Sequence, residues 1–213
     1  MENAEKIMNL KKLVIATKNA GKYKEFEYLI KNFSGENKLL ADEIIFAPEI
    51  ADLIIEETGK SYSENAMLKA TAWAEKSALP CLADDSGLEV EALNGAPGLF
   101  SARIASGKDI NKISWLLSEL KSSQNRKARF VASLALCVPD DYILICKGFC
   151  SGIIKNSPSG SNGFGYDPVF QPDGYEMTFA ELNSEIKNSI SHRANAFKKL
   201  ISLKAAGFSR ADV

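Results

Sequence analysis

Histidine is almost missing from this chain. Among 213 residues there is one, His192. That excludes a zinc site built from several histidines and any mechanism that needs two imidazoles. Cysteine is sparse and unpatterned: Cys81, Cys137, Cys146 and Cys150 form no Cys-x-x-Cys pair. Zinc ribbons and dithiol redox motifs are therefore excluded, and the expectation is free, mostly buried thiols in a reducing compartment. No apolar run approaches the ~20 residues that span a bilayer. Met1 to Lys12 also lacks the apolar segment of a secretory signal. A cytoplasmic protein with no membrane partner is expected. Net charge is missing too, since 26 basic and 27 acidic side chains leave −1. A protein whose main partner is a nucleic acid usually presents a net basic face, so none is expected here.

What is present is the make-up of a globular chain, with 46% hydrophobic and 25% charged residues, which argues against wholesale disorder. No repeat and no Pro/Gly/Ser linker divides it. The reading is an N-terminal tail over residues 1–11 and a single domain over 12–213. Leu13 to Thr17 reads as a buried strand. The spacing of Tyr23, Phe26, Leu29, Ile30 and Phe33 predicts a helix from Lys22 to about Asn32. Ile44 to Ala47 reads as a strand. Ser61 with Glu64 forms a capping box, opening a helix to about Ala78. Cys81 to Ala83 reads as a short strand that ends on Asp84 and Asp85. Ile110 to Leu120 has helical spacing. Ala128–Val138 and Tyr142–Ile154 are β-rich runs split by a Pro-Asp-Asp turn. Gly160 to Gly165 is a glycine-rich loop, with a short strand near Val169-Phe170. Ala194 to about Lys204 is the last helix. Crossover and hairpin connections together give an α/β class with a mixed sheet.

The first segment with chemical content is Thr17-Lys18-Asn19-Ala20-Gly21-Lys22, between a strand and a helix. A helix N-terminus presents unpaired amides to an anion, and Thr17, Asn19 and Lys22 can add side-chain donors. A simple turn with solvated lysines is the alternative. Gly59-Lys60-Ser61 mimics the end of a phosphate-binding P-loop, but that motif needs a glycine where Ile54 stands. Six carboxylates and no basic residue lie between Asp42 and Glu57. Magnesium takes one or two protein carboxylates plus water and phosphates, so Glu56-Glu57 and Asp84-Asp85 are candidate ligands or bases. Neighbouring residues of a strand face opposite ways, which predicts different roles for Asp84 and Asp85. Phe164 and Tyr166, between glycines, can offer a stacking face to a base, and Asp167 can accept from base N–H groups. From Lys187 to Arg210 there are six basic residues and no acidic one. Within that stretch His192 and Arg193 are hydrogen-bond donors suited to a keto oxygen. The alternative for His192 is packing at a helix start.

Taken in order, ATKNAGK (Ala16–Lys22), EETGKSYSENAMLKA (Glu56–Ala70), LADDSGLEVEALNGAPGLFSAR (Leu82–Arg103), GFGYDPVF (Gly163–Phe170) and KNSISHR (Lys187–Arg193) resemble the inosine triphosphate pyrophosphatase family. The resemblance implies an elongated mixed β-sheet flanked by helices, two lobes around a central cleft, and a homodimer. It implies Mg²⁺-dependent hydrolysis of ITP, dITP and XTP to the monophosphate and pyrophosphate. It also implies roles for single residues. Thr17, Lys18, Asn19, Ala20, Gly21 and Lys22 would contact the triphosphate. Glu57 and Asp85 would bind metal, Asp85 would accept the proton, and Lys69 would serve the phosphate side. Ser86, Phe164, Gly165, Tyr166, Asp167, Lys187, His192 and Arg193 would bind the rest of the substrate. Lys18 fills a position that is often glycine in that family. Two other classes share the scaffold's features: a regulatory module that binds a nucleotide without turnover, and a pyrophosphatase of modified pyrimidine nucleotides. The carboxylate set favours an enzyme over the first. The SHR and GFGYD segments favour purine over the second.

Overall fold

A computed structural model of the protein describes residues 10–32, 40–104 and 109–205. The elements in chain order are β1 (Leu10–Ala16), α1 (Ala20–Asn32), β2 (Ala41–Phe46), α2 (Tyr62–Ser77), β3 (Cys81–Val90), α3 (Asp109–Glu119), β4 (Lys127–Val138), β5 (Tyr142–Ile154), β6 (Phe170–Pro172), α4 (Ser184–Ile190) and α5 (His192–Ala205). The strands form one sheet in the order β2-β1-β3-β4-β5-β6. β1 runs parallel to both β2 and β3, whereas β5 and β6 are antiparallel. The fold is α/β with a mixed sheet.

The elements differ from the sequence reading mainly at their ends. β1 begins at Leu10, inside the stretch read as a tail, and residues 1–9 lie outside the described residues. Arg210, at the far end of the basic stretch, also lies outside them. The short strand read at Cys81–Ala83 continues through Asp84 and Asp85 to Val90, so both acids sit within the strand rather than at its end. Polar letters in a buried strand hid its second half. Helix α4 does not appear in the sequence reading at all. It has seven residues, and its start is marked only by Asn183, whose side chain accepts from the Ile186 amide.

The chain divides into two compact units. The first comprises residues 1–85, 133–147 and 196–213, the second 86–132 and 148–195. In the first, α2 lays Ala66, Ala70, Trp73 and Ala74 on Val14, Ala16, Cys81 and Ala83 of the sheet. The alanines allow a close approach without loss of side-chain entropy. Ser61 caps α2 as expected, accepting from the Glu64 amide at 3.2 Å. The Glu64 carboxylate returns the bond to the Lys60 amide, one residue before the cap. In the second unit, Leu88, Val90, Ile113, Leu116, Phe130, Phe170 and Phe179 form a core. Phe130 is its hub, with the Phe170 ring edge-on at 4.6 Å and the His192 ring stacked at 4.7 Å.

All four cysteines are free and buried. Burial pushes every thiol up, Cys81 to about 11 and Cys150 to about 12. At pH 8 about one Cys81 thiol in a thousand is then ionised, and the thiolate is the reactive form. A disulfide reagent at that pH is expected to titrate the native protein slowly and all four thiols promptly in guanidinium. Fast reaction of two or more thiols in the native state would contradict this packing.

Candidate active site

The first unit gathers one set of charged groups. Asn19 precedes α1, and its side-chain oxygen accepts from the Lys22 amide at 3.0 Å. The Asn19 amide in turn donates to Thr17 Oγ1 at 3.1 Å. Thr17 and Asn19 thus shape the loop before the helix. The amides of Ala20 and Gly21, at the positive end of the helix, belong to the turn that has no carbonyl partner within it. Lys22 Nζ lies 2.7 Å from Asp84 Oδ2, whose side chain is fully buried. Lys18 turns elsewhere, to the exposed Asp52.

Alternation along β3 separates its two acids. Cys81 and Ala83 pack on α2, and Asp85 follows them on the same face. There Lys69 Nζ, from α2, lies 2.8 Å from Asp85 Oδ1 and 2.7 Å from Glu57 Oε1. Glu57 comes from the extended segment after Ala51. In it Ala51, Leu53 and Ile55 pack inward on the core, and Glu57 continues their phase while Glu56 is exposed. Asn65 joins the two parts. Its Nδ2 donates to Asp85 Oδ2 at 3.3 Å, and its Oδ1 accepts from the Gly59 amide at 2.8 Å. A Cβ on Gly59 would stand 2.6 Å from that same oxygen.

The charges follow from these neighbours. Burial, with Glu57 adding to it, outweighs Lys69 and Lys22 and raises the Asp85 carboxyl above its ordinary range. Burial pushes Lys69 down, but Asp85 and Glu57 more than offset it, so its amine is held protonated. A raised carboxyl beside a fixed cation is a fitting proton acceptor. The ammonium also shows that a cation already rests between these two carboxylates. Among the described residues no three His, Cys, Asp or Glu side chains cluster as a metal cage. Glu57 and Asp85 could offer a metal two hard oxygen ligands, a set that suits magnesium completed by water and phosphate.

The second unit holds the other expected residues. Gly163 to Asp167 form a tight loop in which Gly163 and Gly165 take positive φ, +77° and +64°. A Cβ on Gly163 would stand 2.0 Å from Asp167 Oδ2. That oxygen accepts from the Phe164 amide at 2.8 Å and from Lys187 Nζ at 2.6 Å. Asp167 and Lys187 are both buried. Asp167, expected to face a base, thus serves within the protein as an acceptor for its own loop and for Lys187. Tyr166 is buried, and its hydroxyl donates to the Ser101 carbonyl. Lys187 Nζ lies 5.0 Å from the centre of the Phe164 ring, and the Arg193 guanidinium 5.9 Å. Arg193 is 1% exposed and donates to Ser86 Oγ at 3.1 Å. His192, the first residue of α5, is buried in its stack on Phe130.

Two residues with evident roles, Asn65 and Asp109, escape sequence reading, and Asp84, a candidate ligand or base there, takes a third role. Asp84 holds Lys22, Asn65 ties Asp85 to the Gly59 loop, and Asp109 accepts from the Gly165 amide at 2.6 Å. The available signals were the Asp-Asp alternation for Asp84 and, for Asp109, an acid in the first turn of a helix. Asn65 carried none.

The model of the Ham1 family matches residues 13–203. A dITP/XTP pyrophosphatase of Prochlorococcus marinus is 46% identical over 189 residues, covering 89% of this chain and 91% of that protein. A HAM1 protein from Coxiella burnetii superposes with a TM-score of 0.79 at 38% identity, covering 92% of this chain and 99% of that one. The Staphylococcus aureus Ham1 protein gives 0.77 at 40%, covering 91% and 97%.

Proposed function

The chain belongs to the Ham1 family, and on that premise we propose that it hydrolyses ITP, dITP and XTP to the nucleoside monophosphate and pyrophosphate, clearing them from the nucleotide pool. The observation that carries this is the Glu57–Lys69–Asp85 cluster, with Lys22 held nearby in sequence order by Asp84. A sensor that only binds nucleotides has no need of a raised carboxyl beside a fixed ammonium. The names of relatives such as the Prochlorococcus protein supply the substrate class.

In this reading the α1 amides, Lys22 and Lys69 take the negative charge of the triphosphate. That charge otherwise repels an attacking water. Asp85 accepts the proton of the water as its oxygen bonds to the α-phosphorus and the bond to the departing pyrophosphate breaks. Glu57 and Asp85 are the residues that would hold magnesium, which supplies further charge neutralisation at the phosphates when bound. Phe164 supplies a stacking face, and Arg193 and His192 supply donors matched to a 6-oxo purine. The 6-amino group of adenine would face donors with a donor. A buried polar mismatch of that kind rejects the wrong substrate by roughly 10⁴-fold. The reading also includes a homodimer and a cytoplasmic setting, the former resting on family resemblance. No helix among the described residues is long and apolar enough to cross a membrane.

The test is an assay of ITP, XTP, GTP and ATP with Mg²⁺ that measures pyrophosphate apart from orthophosphate. Pyrophosphate from ITP and XTP, and little turnover of ATP, is the expected result. Orthophosphate as first product sinks the cleavage site, and equal rates on ATP and ITP sink the base selection.

A further inference from the structure

The base-binding loop is held at two successive amides by two different carboxylates. The Phe164 amide donates to Asp167, three residues on. The Gly165 amide donates to Asp109 Oδ2 at 2.6 Å, across 56 residues of sequence. Asp109 opens α3, and its other oxygen is fixed by Lys112 Nζ at 3.0 Å, one turn along the same helix. Gly163 and Gly165 both adopt left-handed backbone. Glycine loses more freedom on ordering than any other residue, so such a loop needs restraint. Bonds from an amide to an ionised carboxylate are roughly twice as strong as neutral ones. Asp109 is ionised for the purpose. Burial pushes its carboxyl up, but the Gly165 amide and Lys112 outweigh that and bring it below the ordinary range.

We infer that Asp109 is a positioning residue for base recognition, its carboxylate locking the Gly165 amide and so setting the face that the Phe164 ring presents to a purine. This rests on the base-binding reading of residues 164–167 given above. Asp109 takes no part in the chemistry in that reading. Its loss therefore weakens binding of ground state and transition state alike, which raises KM and spares kcat.

Amide exchange over residues 163–167 is measured on the protein alone, and ITP kinetics with Mg²⁺ on the same samples. Asp109→Ala is expected to speed exchange by about tenfold or more, raise KM by about tenfold and leave kcat within about twofold. Asp109→Asn, which keeps an acceptor oxygen, is expected to restore most of both. Unchanged exchange in Asp109→Ala overturns the inference, as does a fall in kcat at unchanged KM. Should Asp109→Ala not fold, Lys112→Met carries the same test, with exchange expected to rise severalfold and an unchanged rate overturning the lock. A lack of ITP turnover in the unaltered protein overturns the proposed function instead, while exchange still decides whether Asp109 holds the loop.

Discussion

Asp85→Asn is expected to lower turnover of ITP by about 10²–10⁴-fold, the usual contribution of a positioned general base, while nucleotide binding persists. The substitution keeps size and shape. It keeps one oxygen, which can still accept from the Lys69 ammonium, while its NH2 takes the place of the oxygen that accepts from Asn65, so that one bond is given up. What it removes is the charge, and with it the acceptor for the water's proton. Lys69 retains its bond to Glu57, so its cation stays available to phosphate. The check is pyrophosphate release under saturating ITP, beside calorimetric titration with an ITP analogue that resists α–β cleavage. Binding lost at unchanged turnover per bound substrate would assign Asp85 to substrate capture instead.

The second large effect concerns stability. Lys187→Met is expected to destabilise the protein by about 3–5 kcal/mol, because it removes the cation paired with a buried carboxylate. The side chains of Lys187 and Asp167 are 8% and 5% exposed, with 2.6 Å between the charged atoms. Methionine fills the volume of the lysine stem but takes the ammonium away from Asp167. For a chain of this length the unfolding midpoint falls by roughly 6–20 °C. Asp167→Asn added to Lys187→Met should recover part of the loss, since the double variant has no uncompensated charge. A midpoint shift under about 2 °C for the single variant would show that the pair is hydrated rather than buried.

Much of this fold was legible because local rules sufficed. The helical spacing of Phe26, Leu29 and Ile30 placed α1, and all three are buried. Ser61 and Glu64 placed the start of α2 to the residue. The Pro-Asp-Asp break placed the β4–β5 hairpin at its observed ends. Local rules failed where a strand carries functional letters. Asp84 and Asp85 read as the end of a strand because acids rarely sit in a sheet core, and Ser86 follows them within β3. They are tolerated because Lys22, Lys69 and Arg193 meet them there. Those partners lie 62, 16 and 107 residues away in the sequence, beyond any periodicity. The proposed site residues come from family motifs, whereas the carboxylate grip on the Gly165 amide depends on backbone geometry that no residue pattern spells out.

The placement of Asp84 and Asp85 within β3 makes this stretch sensitive to frame as well as to chemistry. A loop can absorb an inserted residue by bulging outward. Here one residue gained or lost between Cys81 and Asp84 would turn each carboxylate toward the wrong lysine and carry Ser86 out of reach of Arg193. The composition would be intact and the cluster dismantled. Length variants of this protein should therefore concentrate in its connecting segments, and the ten residues of β3 should vary by substitution alone.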